Sequence, residues 1–386
     1  MKKLFGFLKT WFRDFLEIAV YELKAIAHDG GVLIIFTIGA LGYPVLYNYV
    51  YRNGVLEDTP VAVVDLSASA SSRRFLREVD ATRELEVAYT CMNMEEAQRL
   101  MQQRRVNGII YFPADFEEKI VRGETATLSI YADMSAFLYY KNLLMGTNFV
   151  MLHEIEMLSP QDKAFVYEEN NPYNRAFSYS IFFLSAALLL IIQQTMFYGM
   201  SMLAGTMREQ NRSFASLPDR LSGRGVGRVV MGRGAAYWLL YMGIGIYIAM
   251  IIPAVFGLPQ RGAFRDILVL LLFYVTVCVF FCHTWSTFIH RREIVFVLLL
   301  FMSPVAMFLT GFSWPETAFP AFWRYFSYIF PSTFACRAFI DLNTAGGDLL
   351  TVKSQIGALT LQGIIYCLLS HVAVYMENVY IHRKNA

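Results

Sequence analysis

The residues that could do chemistry are few and scattered. The five cysteines are Cys91, Cys278, Cys282, Cys336 and Cys367. Cys278 and Cys282 share a helix face, but no spaced set of metal ligands surrounds them, so they read as small apolar side chains with free thiols. Six histidines are dispersed. His283 and His371 fall in or near apolar runs, where an ionisable ring is either a functional group or a neutral imidazole bonded to a neighbouring helix. Gln193 and Gln194 sit in the middle of another apolar run. They either line a path for a polar or amphipathic substrate or act as hydrogen-bonding glue between helices. Gly223, Gly225 and Gly227 form a glycine-rich patch among arginines with no strand before it. No G-x-x-x-x-G-K-[ST] phosphate cradle, HExxH, GxSxG or zinc-type cysteine spacing occurs anywhere in the chain. Catalysis within this polypeptide is not indicated, nor is a cofactor or metal of its own.

What the chain has in abundance is apolar length. Of 386 residues, 56% are hydrophobic and only 17% charged, against about 25% charged in soluble domains. The formal net charge of +2 gives no footing for a nucleic-acid partner. The apolar residues fall in blocks near the ~20 residues that cross a ~30 Å hydrocarbon core. They lie at 31–51, 177–203, 235–256, 267–289, 294–312 and 356–376, predicting an α-helical polytopic membrane protein with six transmembrane helices. The first block starts too late and runs too long for a cleavable signal peptide. Pro44 in its outer half is a candidate kink.

Orientation follows from basic residues in short loops. Arg208, Arg212, Arg220, Arg224, Arg228 and Arg233 follow the second run, His290, Arg291 and Arg292 separate the fourth and fifth, and Arg383 and Lys384 close the chain. With the basic N-terminus, six crossings put all four segments on one side, the cytoplasm; Arg261 and Arg265 run against the pattern. Residues 1–30 precede the first span. Leu4, Phe5, Leu8, Trp11, Phe12, Phe15, Leu16, Ala19 and Leu23 recur at helical spacing, with Lys9, Arg13, Asp14, Glu17 and Lys24 opposite, which suits a helix in the membrane plane.

Residues 52–175 read as an inserted extracytoplasmic α/β domain. Strands are predicted at Val61–Val64, Leu85–Tyr89, Gly108–Phe112 and Thr127–Tyr131. Helices are predicted from Ser67, from an Asn93/Glu96 capping box, from Pro113 to Gly123, and over Ala136–Leu158. The segment 312–353 is rich in Pro and aromatic residues. It is predicted to form re-entrant or interfacial pieces on the outer side, since Arg324, Pro331 and Arg337 oppose a seventh span.

Two local patterns give this layout a family likeness. One is Met207-Arg208-Glu209-Gln210, followed by Leu217-Pro218 and Gly232-Arg233. The other is Gly311-Phe312-Ser313-Trp314-Pro315, with Pro320 and Pro331-Ser332-Thr333. With the topology, they make the chain resemble, over essentially its whole length, the ABC type-2 permeases, in the exporter branch with a large external domain between the first two spans. Arg233 stands where the family has a lysine, and Gln210 and Asn211 replace more charged residues. The resemblance implies the membrane subunit of an exporter in the bacterial inner membrane, multi-pass, with both termini cytoplasmic. ATP and Mg would be bound by separate cytosolic ABC ATPase subunits. A second permease copy or a paralogue would complete the transmembrane dimer, and the external domain could meet a periplasmic adaptor protein.

The resemblance further implies an ATPase-coupling loop over 205–233, with Arg208, Glu209, Arg212, Pro218 and Arg220 as its contacts. Gly311, Phe312, Pro315 and Pro331 would lie in an external gate element, and Gln193 and Gln194 stay candidates either for the path or for bonding between helices. Three rivals remain. A membrane scaffold or receptor with no transport activity would not co-purify with an ATPase. A membrane-embedded enzyme would need clustered polar residues in its spans. A secondary transporter would show internal repeats.

Overall fold

The computed structural model describes residues 2–51, 56–132, 137–158, 179–210, 225–258, 260–312 and 314–385. The chain divides into two compact units, Met1–Arg52 with Ser178–Ala386, and Asn53–Phe177.

The inserted unit is a small α/β fold. Its strands are β1 (Thr59–Asp65), β2 (Leu85–Cys91), β3 (Gly108–Phe112) and β4 (Ser129–Ala132), in the order β2-β1-β3-β4. The first three are parallel and β4 is an antiparallel edge. Val61, Ala62, Val63 and Val64 are all buried, as a central parallel strand covered on both faces requires. Val61 and Val63 pack with Phe75, Val79, Phe116 and Leu143 on one face, while Ala62 and Val64 pack with Ala97 and Val106 on the other.

The helix predicted from Ser67 begins later, at Ala70 (α3, Ala70–Asp80). The Asp65 carboxylate explains the delay. It accepts the Ser67 and Ala68 amides at 3.0 and 2.9 Å and the Ser72 hydroxyl at 2.7 Å, holding a turn before the helix. Ser69 and Ser72 then form the cap. Asn93 caps α4 (Met94–Gln102) as expected, but Glu96 accepts from the Met92 amide instead of closing the box on Asn93. The remaining helices are α5 (Phe116–Val121) and α6 (Phe137–Leu158). The fourth strand lies at Ser129–Ala132, about two residues later than the hydropathy pattern suggested.

The other unit is helical. After α1 (Lys2–His28) come five long apolar helices: α2 (Gly30–Val50), α7 (Tyr179–Glu209), α8 (Val226–Val255), α9 (Phe264–Ser286) and α13 (Lys353–Asn385). Between α9 and α13 lies a shorter apolar helix, α10 (Glu293–Leu309), of 17 residues. The apolar windows of α7 and α9 are mostly buried and those of α2 and α13 mostly exposed, so α7 and α9 form the centre, with α13 packed on α9. Pro44 is absorbed without breaking α2, because the preceding turns Ile35–Gly42 widen to π geometry. The Pro-rich segment forms a short turn at Glu316–Ala318, then α11 (Ala321–Ser327) and α12 (Pro331–Phe339). Phe322 and Tyr325 of α11 are exposed, whereas nearly all of α12 is buried in the helical core.

α1 turns an unexpected face inward. Asp14, Ile18, Glu22 and Ile26, at successive i+4 positions, are buried, while Phe12, Leu16, Val20 and Leu23 are exposed. The acids point into the protein because α8 presents arginines to them. An apolar stripe is left outward, away from the protein.

Candidate functional site

The sequence elements singled out above meet at one end of the helical unit. Arg208 and Glu209 occupy the last turn of α7. The Arg208 guanidinium points inward. It pairs with Glu377 of α13 at 2.9 Å and donates to the carbonyls of Ser286 (3.2 Å), Thr287 (2.5 Å) and Ile289 at the end of α9. The Ser286 carbonyl also accepts the Ile289 amide at 3.2 Å; a forked cation suits carbonyls at a helix end both as a multiple donor and as a charge at the negative end. Glu209 is exposed and accepts the Arg292 amide at 2.7 Å.

Arg292, at the start of α10, continues the network. Its guanidinium pairs with Asp29 at 2.9 Å and reaches the Thr206 hydroxyl at 3.1 Å. Asp29 is itself the N-cap of α2, accepting the amides of Gly31 and Val32. The α10 start can lie against α7 only because residue 205 is glycine: a Cβ there would stand 2.8 Å from the Arg292 nitrogen. One frame of charges therefore ties together the starts of α2 and α10, the C-terminal ends of α7 and α9, and the C-terminal part of α13.

A second set fastens α1. Arg233 and Glu22 form an ion pair at 3.2 Å in which both side chains are fully buried. The Tyr237 hydroxyl donates to Glu22 at 3.3 Å, and Arg228 pairs with Asp14 at 2.7 Å. Burial pushes the Glu22 carboxyl above its ordinary range, against the opposing pull of Arg233 and the Tyr237 hydrogen bond. The arginines were legible as a basic loop. Of their partners, Asp14 was expected only on the polar face of the N-terminal helix, and Glu22, Asp29 and Glu377 were not named. The available signal was acids recurring on the α1 stripe shared with Ile18 and Ile26.

The remaining candidates fall elsewhere. Arg212, Pro218 and Arg220 lie outside the described residues. The Gln193 amide oxygen accepts the Ser332 amide at 2.7 Å, capping the start of α12 just after Pro331. Gln194 accepts the Ser303 hydroxyl at 3.3 Å. Both glutamines also line a cavity between α7, α9 and α10. His371 is bonded to the Cys367 carbonyl at 2.7 Å, His283 is buried in α9, and the cysteines are free thiols. No group of metal-ligating side chains occurs among the described residues.

Gly311 and Phe312 follow α10, Pro315 precedes the short turn, and Pro331 opens α12. Together they frame an ion pair between Glu316 and Arg337, to which Tyr328 adds a hydroxyl donor and Arg337 adds a bond to the Thr310 carbonyl at 3.1 Å. Gly311 has φ +85°, and a Cβ there would stand 2.7 Å from the Arg337 guanidinium. Gly311→Ala is therefore expected to lower stability by about 1–3 kcal/mol, read as a lowered unfolding midpoint of the purified chain. An unchanged midpoint would show that this turn tolerates a side chain.

Among its described residues the inserted unit offers no comparable site. In open α/β sheets ligands settle beyond the strand ends where the strand order reverses, here between β1 and β3. Glu117 already occupies that place, accepting the Ser71 amide at 3.2 Å at the start of α3. Hydrogen bonding to Ser71 holds its carboxyl below the ordinary range.

Long apolar helices framed by internal ion pairs define a multi-pass membrane protein with five candidate spans among the described residues. The chain belongs to the ABC-2 family of transporter proteins, whose profile matches residues 31–372. No curated protein gives a match.

Proposed function

We propose that the chain is the membrane (permease) subunit of an ATP-binding-cassette exporter in the bacterial inner membrane, driven by separate cytosolic ATPase subunits and completed by a second permease, identical or related. It crosses six times, with α10 as the fifth span. At 1.5 Å per residue α10 rises about 25 Å, short of a ~30 Å core, so the turns at its ends share the crossing. Both termini and residues 205–233 face the cytoplasm and residues 52–175 lie outside, where an adaptor protein can reach them. α1 lies in the membrane plane with Phe12, Leu16 and Val20 toward lipid.

The observation that carries this reading is the charged frame at one helix end. ABC-2 membership supplies the class, and the lack of any phosphate cradle in the sequence puts ATP hydrolysis on another chain. The frame supplies a mechanism. Glu209 and the loop after it meet the ATPase. Arg208, facing inward, passes the movement to α9 and α13, while Arg292 and Asp29 pass it to α10 and α2. A rigidly tied set of helix ends converts closure of the ATPases into a concerted tilt of the spans. Substrate enters from the cytoplasm or inner leaflet between two copies of α2, α7 and α10 and leaves past the Glu316–Arg337 lock.

The test has two arms. A single cysteine at position 220 (Arg220→Cys in a cysteine-free background) is expected to react with an impermeant maleimide only after the inner membrane is opened. The full-length chain is expected to capture an ABC ATPase from the membrane and to raise its ATP turnover in reconstituted vesicles. Labelling from outside intact spheroplasts, or purification without any ATPase, would favour a scaffold or receptor instead.

A further inference from the structure

A partly open cavity of about 330 Å³ lies between α7, α9, α10 and α11 within a single protomer. Its walls are unusual for a lipid-facing gap. Phe197, Phe281, Trp285, Phe326 and Phe330 surround it, and neighbouring rings meet with centroids 5.7–6.4 Å apart, all tilted or edge-on. Such rings present both positive edges and negative faces to whatever lies between them.

Apart from the Trp285 indole, the polar side chains that line the cavity, Gln193, Gln194 and Tyr198, all belong to α7. Tyr198 is 2.9 Å from the Ser303 hydroxyl, which donates to Gln194 at 3.3 Å. Gln194 and Tyr198 line both this cavity and a second, larger groove of about 540 Å³ between α2, α7 and α10, which Ser303 borders as well. The hydroxyl–hydroxyl–amide chain is thus a thin polar partition between the aromatic chamber and the groove assigned above to the substrate path.

We propose that the aromatic chamber is a binding site for a fused-ring aromatic amphiphile bearing one neutral hydrogen-bonding group, which Gln194 and Tyr198 would engage. This deepens the exporter reading and rests on it for the role of the chamber as a station beside the path. Dimensions favour rings over a lipid tail. The α10 residues on the wall, Leu298, Met302 and Ala306, span eight positions, giving a depth of about 12 Å. That is shorter than the ~15 Å occupied by the acyl region of one leaflet. A saturated chain would also gain nothing from the amide and hydroxyl wall. Access is beside Trp285 and Phe288, both well exposed.

The test is photolabelling of the purified full-length chain in lipid nanodiscs, without ATPase, using pyrenylmethanol carrying a diazirine. Labelled positions are mapped by mass spectrometry. The expected labels lie on Phe197, Leu298 or Met302, and unlabelled pyrenylmethanol competes at concentrations where tetradecanol does not. Ala306→Phe, which fills the chamber, is expected to reduce labelling at least tenfold, and Gln194→Leu to weaken it about fivefold, the effect of losing one neutral hydrogen bond. Leu298→Trp serves the same purpose if Ala306→Phe does not fold.

Labelling confined to the apolar groove between α9 and α13, around Leu272 and Ile364, would overturn the proposal. So would equal competition by tetradecanol, or undiminished labelling of a folded filled variant. ATPase-coupled export with no chamber labelling removes this site alone. Chamber labelling in a chain that engages no ATPase removes the exporter reading and leaves the site standing.

Discussion

Replacing Arg233 with methionine is expected to destabilise the protein by about 3–5 kcal/mol at neutral pH, seen as a large fall in unfolding midpoint in lipid nanodiscs. Both members of the Arg233–Glu22 pair are fully buried. Without the guanidinium, the Glu22 carboxylate keeps only the Tyr237 hydroxyl among its side-chain partners described above. A buried ion stripped of its counter-ion either moves, drags water inward or takes up a proton. The paired change Glu22→Leu with Arg233→Met is expected to recover most of the loss, because the penalty of burying both charges disappears together with their attraction.

The pH dependence provides a second, signed readout. The fold raises the Glu22 carboxyl above its ordinary range, chiefly by burial. A raised value in the folded state means that the neutral form is favoured there. The contribution of Glu22 to stability is therefore full below the ordinary carboxylate range and is lost as pH rises through the raised value. Removing Arg233 takes away an influence that lowers this value, so it rises further and the stable window extends to higher pH. Arg233→Met should recover on mild acidification, and the double variant should not respond. A single variant as stable as the wild type at neutral pH would mean that the pair is not buried, and α1 would not be fastened in this way.

Arg208→Ala is expected to have an effect of the same order, about 3–5 kcal/mol, since it removes the guanidinium from a largely buried pair with Glu377. It also removes a side-chain donor from the Ser286, Thr287 and Ile289 carbonyls, of which Ser286 keeps the Ile289 amide. Arg208→Lys keeps the charge but replaces a five-donor fork by a compact ammonium, so it should recover only part of the loss. Glu377→Gln isolates the ionic part and should be milder than Arg208→Ala. Under the exporter proposal, Arg208→Lys is also the informative functional variant. It should fold, still capture the ATPase through Glu209 and the loop beyond, and transmit less of its movement, giving ATP turnover with reduced export. If Arg208→Ala unfolds at the wild-type midpoint, the guanidinium is not the joint between α7, α9 and α13.

Much of this was legible in the chain itself. Spans announce themselves because membrane crossing is a property of contiguous length, and Val61–Val64 and Gly108–Phe112 announce themselves because a covered parallel strand is an uninterrupted apolar run. The loop arginines were visible for the same local reason. α10 was expected as a full span from 294 to 312; its helix ends at Leu309 because the next residues turn at Gly311, whose positive φ leaves the helical region. The start of α3 was misplaced by three residues because Asp65 competes for the first amides, a choice between two serines that capping preference alone does not make.

Pairing is a different matter. Arg208 and Glu377 are 169 residues apart, and Arg292 and Asp29 are 263 apart. Periodicity, capping and hydropathy each act over one helix, so the sequence by itself determined which segments are helices, which are strands and which loops carry charge. Only the tertiary structure decided which acid each arginine meets. It also decided that α1 turns Asp14 and Glu22 inward, and that Gln193 caps α12 while Gln194 closes a partition. Those outcomes depend on how helices stack, and a buried charge has no stable place until the partner that neutralises it has been brought alongside.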